Sequence, residues 1–211
     1  HGSGRYALAA YLVDRGAEAD IFLAAALGRT DQVQHLLTLT PALLDEQTGR
    51  GRYGDAPPSA SHIYTWTIGA NRSPLEVAAQ FGHADTLAAM MPFATPVQKL
   101  RLACRRGDNE AAHQLVQLDP TIVATLDARD QRAITDAAWD GNSQAVTLML
   151  SLGFDPATIG HDGGTALHCA FGTLAALIER GKSGRGQIVE GALLATALSF
   201  TNASLIEQAV I

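Results

Sequence analysis

A short pattern that recurs four times along the chain constrains its fold more than any other feature. Each copy begins with an apolar residue, has small residues three and four positions later, and reaches a glycine at the seventh position. Residues at these intervals lie on one face of a helix, and small side chains there let a neighbouring helix come close. The glycine suits the left-handed backbone conformation in which many helices end. The four copies are Ile21–Gly28, Leu75–Gly82, Leu100–Gly107 and Ile134–Gly141.

A second amphipathic helix is predicted after each of these glycines, so the repeating unit is a helical hairpin. After the first glycine the apolar positions are Val33, Leu36 and Leu37, which again fall on one helix face. Residues 5–16 have the pattern of another second helix. Because a hairpin of this kind buries its apolar stripe only against its neighbours, the sequence predicts an all-α stack of hairpins.

Two stretches of the chain resemble the ankyrin-repeat family. Residues 73–79 and 165–170 are similar to the Thr-Pro-Leu-His start of that family's first helix, and residues 82–83 resemble the Gly-His that opens its second helix. The resemblance implies an ankyrin-like helical-hairpin solenoid over residues 1–168, which binds other proteins and has no catalytic activity. It also implies that the residue before Pro74 caps the first helix.

The resemblance to ankyrin repeats is irregular in its spacing. The interval from Gly82 to Gly107 is shorter than the family's repeat of about 33 residues, which leaves no room for the usual β-hairpin between repeats. The interval from Gly28 to Gly82 is longer, because residues 46–72 form an insertion.

The insertion is the part of the predicted array that is best suited to contact a partner. It begins with a Gly- and Pro-rich stretch, and residues 63–68 are β-branched and aromatic, which predicts a short strand or extended finger. Projecting loops often carry the contacts of repeat proteins, and Tyr53, Tyr64 and Trp66 are candidate anchors for a partner protein. An alternative is that Tyr64 and Trp66 fold back over the next repeat and complete its core.

Three arginines, at positions 101, 105 and 106, follow one another at helical spacing. They are predicted to form a solvated helix face, or alternatively a small patch for an acidic partner, so Arg101 and Arg105 are also candidate binding residues. The chain has 15 basic and 21 acidic side chains and a net charge of -6. This charge argues against binding to nucleic acid, which favours a basic surface.

The end of the chain resembles a different family, the class III CoA-transferases, which include formyl-CoA transferase, carnitine CoA-transferase and methylacyl-CoA racemase. The matching stretches are Ala170–Leu177, Ser183–Gln187 and Val189–Leu198. The resemblance implies two extra C-terminal helices over residues 169–211, which form an incomplete segment of such an enzyme. It also implies that Asp162 stands at the position of that family's catalytic aspartate.

Asp162 has a second interpretation, as the aspartate that opens an ankyrin repeat, and both resemblances pass through residues 164–167. The chain begins with His1 and ends within an apolar stretch, so both ends look like cuts. A truncated or chimeric fusion that carries an inactive CoA-transferase fragment is therefore the alternative interpretation. The fragment lacks the nucleotide-binding half of the enzyme, so we expect no catalysis, no cofactor and no small-molecule substrate.

The remaining composition predicts a protein of the cytoplasm. Cys104 and Cys169 do not form a disulfide framework or a zinc motif, and we expect both to be buried reduced thiols without a metal. The longest apolar stretch without charges is Gly191–Ile206, which is too short to span a membrane. The expected partner is another protein, with no role for a membrane.

Overall fold

The computed structural model describes residues 3–54, 62–160 and 163–171, and these residues form helices and no strand. The predicted all-α class is therefore confirmed, whereas the two expected C-terminal helices lie outside the described residues. The chain divides into two compact units, His1–Leu102 and Ala103–Ile211. The α-helices are α1 (Ser3–Asp14), α2 (Ile21–Ala26), α3 (Thr30–Leu39), α4 (Ile63–Thr67), α5 (Pro74–Gln80), α6 (Ala84–Met90), α7 (Pro96–Arg106), α8 (Asn109–Leu118), α9 (Ala128–Gln131), α10 (Ala133–Trp139) and α11 (Ser143–Ser151).

Shorter helical segments complete the described structure. Residues 166–171 are helical at the end of the described chain. Three 3-10 helices lie at Pro41–Asp45, Gly51–Tyr53 and Met91–Phe93.

In the first unit, two helical hairpins stack in the same orientation. The pairs α2–α3 and α5–α6 form the hairpins, and α2 packs on α5 while α3 packs on α6. The core is apolar and fully buried, and includes Phe22, Val33, Leu37, Leu75 and Met90. Burying a large apolar side chain stabilises a fold by about 1.5–3 kcal/mol. The shared apolar core therefore holds the two hairpins together.

The four glycines of the sequence pattern end their helices in the predicted conformation. Their φ angles are 69° at Gly28, 79° at Gly82, 67° at Gly107 and 69° at Gly141. An L-residue rarely adopts this left-handed region, whereas glycine enters it freely. Each glycine thus lets the chain reverse direction and begin the second helix of its hairpin.

A side chain that follows one glycine ties its hairpin to the hairpin before it. His83 follows Gly82, and its Nε2 donates a hydrogen bond of 2.9 Å to the carbonyl of Ala26, two residues before Gly28. A Cβ atom on Gly28 would lie 2.5 Å from Nδ1 of His83. The imidazole therefore fits only because Gly28 has no side chain.

The second unit contains an equivalent bond with a different residue. Asn142 follows Gly141, and its Nδ2 donates 2.9 Å to the carbonyl of Arg105, two residues before Gly107. Its Oδ1 also accepts from the amide of Ala145 and caps α11. The helices α10 and α11 pack together as the hairpin of this unit.

The helix starts that resemble ankyrin repeats have the predicted caps. Ser73 and Glu76 form a reciprocal capping box at α5, and Pro74 occupies the first helical position, where its missing N–H costs nothing. In the second unit, the Nδ1 of His168 accepts from the amide of Thr165 at 3.2 Å. These side chains satisfy amides that have no partner within their own helices.

The prediction of a strand or extended finger over residues 63–68 is wrong, because Ile63–Thr67 is the short helix α4. The Nδ1 of His62 accepts from the amide of Tyr64, and the amide of Ile68 donates to the Tyr64 carbonyl at 2.9 Å. The hydroxyl of Thr67 donates to the carbonyl of Ile63. Local bonds thus satisfy the backbone of this segment as a helix, which overrides the strand preference of its β-branched residues.

We predict that Gly28→Ala destabilises the first unit more than Gly82→Ala does. Both glycines have a positive φ, but a Cβ on Gly82 meets nothing within 4 Å. Gly82→Ala therefore carries only the backbone strain of about 1–2 kcal/mol. Gly28→Ala adds the loss of the His83 hydrogen bond, about 1 kcal/mol more. Urea unfolding of the two variants measures the difference, and equal losses would contradict the role of this contact.

Candidate protein-binding surface

The insertion leaves the hairpin stack and returns to it at one place. The amide of Thr48 donates to the carbonyl of Arg72 at 3.0 Å, and the amide of Asn71 donates to the carbonyl of Thr48 at 2.9 Å. The hydroxyl of Thr48 donates to the carbonyl of Gly69 at 2.6 Å. Thr48 and Asn71 are buried. The base of the insertion is therefore closed by backbone pairing and belongs to the folded unit.

Asp20 joins the insertion to the first hairpin. Its carboxylate caps α2 by accepting from the amide of Leu23 at 2.9 Å. Both carboxylate oxygens also lie 3.0 Å from the hydroxyl of Tyr64, which donates to them. A hydrogen bond to a charged acceptor is stronger than one between neutral groups. One carboxylate thus sets both the start of α2 and the position of α4.

Four aromatic rings pack together around this bond and form what we call the aromatic cluster (Phe22, Tyr53, His62 and Tyr64). The ring of Phe22 meets Tyr53 edge-on at 4.7 Å between centroids and lies 5.8 Å from Tyr64. His62 lies 4.7 Å from Tyr64 and 5.5 Å from Tyr53. Edge-on aromatic pairs add about 0.5–1.5 kcal/mol beyond their buried area. The aromatic cluster therefore fixes α4 against the core residue Phe22.

Burial and the negative charge of Asp20 keep both tyrosines protonated. Burial, followed by the Asp20 carboxylate, raises the pKa of Tyr53 to about 12. The same two causes raise the pKa of Tyr64 still further. Tyr64 consequently remains a hydrogen-bond donor to Asp20 over the whole physiological pH range.

The opposite side of α4 carries two exposed apolar side chains. Ile63 is 61% exposed and Trp66 is 75% exposed, and their spacing places them on one helix face. We call this pair the α4 surface. Exposed apolar side chains that lie next to one another are candidates for contact with a partner, whereas isolated ones are common on any protein surface. The two candidate anchors on α4 thus lie on different sides of the helix. Tyr64 packs inward on the aromatic cluster, whereas Trp66 points outward.

Tyr53 does not have the position of a surface anchor. It is 3% exposed and lies within the aromatic cluster, where it contributes packing. The guanidinium of Arg52 lies 4.8 Å from the centre of its ring. The sequence did not reveal this, since an aromatic residue in a Gly-rich stretch has the same local pattern whether it is buried or exposed.

The predicted solvated face of arginines is wrong for Arg101, which is 3% exposed. Its Nη2 donates to the carbonyl of Asn71 at 3.1 Å and to the carboxylate of Glu76 at 3.3 Å. Glu76 is itself buried as part of the capping box of α5, and a buried carboxylate needs a cationic partner. Arg101 therefore stabilises the base of the insertion and offers no contact to a partner.

Arg105 also has an internal partner. It forms an ion pair with Asp140 inside the second unit, and its side chain is mostly buried. Its backbone carbonyl accepts from Asn142.

Sequence reasoning missed Asp20, His62 and Ile63 as parts of the candidate site. Asp20 was recognisable as a possible cap of α2, but its bond to Tyr64 depends on the folded position of the insertion.

No group of three His, Cys, Asp or Glu side chains is placed to hold a metal ion within the described ranges. Cys104 is buried, and desolvation raises the pKa of its thiol to about 12, so it stays protonated. Asp162, the candidate for catalysis under the alternative interpretation, lies outside the described residues. None of the described helices has the length and apolar character to cross a membrane.

Together these observations describe, in the part of the chain that the structure covers, stacked helical hairpins with an anchored insertion. A putative ankyrin repeat-containing protein of Treponema pallidum (strain Nichols) is 40% identical to this chain over 78 residues. The alignment covers 37% of this chain and 26% of that protein. The chain therefore matches about a quarter of the length of this curated relative, and the similarity supports the ankyrin resemblance.

The sequence model of CoA-transferase family III matches residues 122–211. This finding supports the second resemblance, and the match begins before Ala170, where the first matching stretch of the sequence begins. The matched range includes α10 and α11, the hairpin that also carries the ankyrin-like pattern. The two similarities thus overlap along the chain.

We predict that Tyr64→Phe lowers the free energy of unfolding of the first unit by about 1–2 kcal/mol, because the Asp20 carboxylate loses a half-buried donor. Tyr11→Phe is the matched control, since Tyr11 is 52% exposed on α1. It should change the free energy of unfolding by less than about 0.5 kcal/mol. Chemical denaturation of both variants tests this, and an unchanged stability in Tyr64→Phe would show that the bond does not anchor α4.

Proposed function

We propose that the chain is a non-catalytic ankyrin-type scaffold that binds another protein through the α4 surface. The observation that carries this proposal is the placement of Trp66 and Ile63, which are exposed on a helix whose other side is tied to Asp20.

The anchoring of α4 favours binding in a way that a mobile loop would not. Association costs about 0.5–1.5 kcal/mol for each flexible side chain that becomes ordered, and a surface that is already ordered avoids part of this cost. Tryptophan is among the residues that contribute most to protein interfaces when they enter a pocket on the partner. Trp66 has both properties, because its side chain is exposed while its helix is fixed by Tyr64.

The stacked hairpins supply the scaffold for this surface. The stacking of α2 on α5 and of α3 on α6, together with the ankyrin-like sequence, supports a solenoid over residues 1–168. We propose a cytoplasmic location, with no role for nucleic acid, a membrane, a cofactor or a small-molecule substrate. The net charge of -6 supports the proposal that nucleic acid is not the partner.

A second candidate is a fusion that carries an inactive fragment of a CoA-transferase, and the match of residues 122–211 favours it. In this case the chain has no complete acyl-CoA site, and we propose that it does not catalyse transfer. Acyl-CoA turnover by the purified chain that disappears in Asp162→Asn would contradict the non-catalytic proposal.

The binding proposal is tested by replacing Trp66. A photo-reactive amino acid at position 67 of the full chain, which is exposed next to Trp66, identifies the protein that contacts α4. Binding of that purified protein is then measured by calorimetry. We predict that Trp66→Ala weakens binding by at least about 2 kcal/mol, or roughly thirtyfold. Because Trp66 is 75% exposed, the free energy of unfolding should change by less than about 0.5 kcal/mol.

Trp139→Ala is the matched control for this experiment. Trp139 is 52% exposed at the end of α10 in the second unit and does not belong to the α4 surface. Its replacement should leave the Kd unchanged. If Trp139→Ala weakens binding and Trp66→Ala does not, the recognition surface lies elsewhere and the proposal is wrong.

A further inference from the structure

We infer that the α4 surface is ordered at neutral pH and loosened by acid, because α4 is capped by a neutral histidine. This inference concerns the regulation of the surface proposed above, so its biological meaning rests on that function. The structural claim itself is independent of any partner.

The cap of α4 depends on the protonation state of His62. The Nδ1 of His62 accepts a hydrogen bond of 3.3 Å from the amide of Tyr64. This amide lies in the first turn of α4, where no carbonyl of the helix can accept from it. A neutral imidazole has one acceptor nitrogen, whereas both nitrogens of the imidazolium ion are donors. Protonation of Nδ1 therefore replaces a hydrogen bond by two opposed N–H groups.

The groups around His62 have opposing effects on its charge. The rings of Tyr53 and Tyr64 face it directly, and both tyrosines stay protonated and uncharged. Beyond these rings the Asp20 carboxylate, bound to Tyr64, favours a positive imidazole. The Arg52 guanidinium, which lies over Tyr53, disfavours it. The Tyr64 amide is the direct contact of Nδ1, so this contact decides how protonation of His62 affects α4. The charged imidazole cannot accept from the amide and therefore destabilises the helix.

Other histidines of the structure show why the effect is local. His83, which ties the two hairpins of the first unit, donates from Nε2 to the carbonyl of Ala26, and the imidazolium ion keeps that donor. The stack beneath α4 therefore retains its bond in acid. In the second unit His168 accepts from an amide, as His62 does, so the test needs a readout at a single residue.

The direction of the pH dependence follows from this geometry. The ordered α4 is formed with the neutral imidazole, so its order is present where Nδ1 of His62 is free to accept and is lost where Nδ1 is protonated. Imidazole is the side chain that normally changes charge between about pH 5 and pH 8. Trp66 and Ile63 lie on the helix that begins at this cap, so their exposed arrangement changes in the same range.

The test is an NMR titration of the full chain without a partner. The Cε1 proton of His62 reports its charge, and hydrogen exchange reports the protection factor of the Tyr64 amide. Between about pH 7.5 and pH 5.5 we expect this protection factor to fall about fivefold, the effect of losing one helix cap. His62→Asn is the matched variant, because asparagine accepts the same bond without titrating.

In His62→Asn we expect the Tyr64 amide to be less protected than in the native chain at the higher pH, because the ring contacts with Tyr53 and Tyr64 are lost. Its protection should be the same at both pH values, because the asparagine cap does not change charge. The inference is overturned if native protection does not change while the His62 proton titrates, or if both proteins lose protection equally. The proposed function fails separately, if Trp66→Ala binds the partner normally, since that result does not affect the titration.

Discussion

The close approach of two hairpins at Gly28 is the constraint on which the rest of the first unit depends. The His83 imidazole reaches the Ala26 carbonyl across this glycine, and a single Cβ atom there would displace it. The second unit uses Asn142 for the same bond to the carbonyl of Arg105. In both units a side chain that follows one of the four glycines thus donates to a carbonyl just before another of them. In the first unit the apolar core supplies most of the stabilisation of the two hairpins.

The stack also determines where the proposed recognition surface lies. The helix α4 has five residues and is too short to be stable by itself in water. Its order comes from the bond between Tyr64 and Asp20 and from the aromatic cluster, and both rest on α2. The position of α2 is set in turn by its packing on α5. A partner that binds Trp66 therefore contacts a surface that is already ordered by the folding of the repeats. The free-energy cost of ordering this surface does not reduce the binding affinity.

The repeats were predictable from sequence because each is local: a helix face, a glycine and a cap lie within a few residues, as at Ser73, Pro74 and Gly82. The insertion was not predictable in this way. Residues 63–68 have the composition of a strand, whereas the local cap by His62 and the contact of Tyr64 with Asp20, far away in sequence, favour a helix there. Arg101 was misassigned for the same reason, since its partner Glu76 lies on another helix. For Trp66 the sequence left open whether the side chain contacts a partner or folds back over the next repeat. It is 75% exposed, and its role in binding stays a prediction.

The central claim is that the insertion is a folded recognition element of the repeat stack and not a loose loop. Native-state hydrogen exchange of the amides of Ile68 and Gly69, which both donate to the Tyr64 carbonyl, tests this claim most directly. The account predicts that these amides are protected well above the level of an unstructured chain, and that Tyr64→Phe lowers their protection without affecting the amides inside α5. Exchange at the rate of an unstructured peptide in the native chain would contradict it.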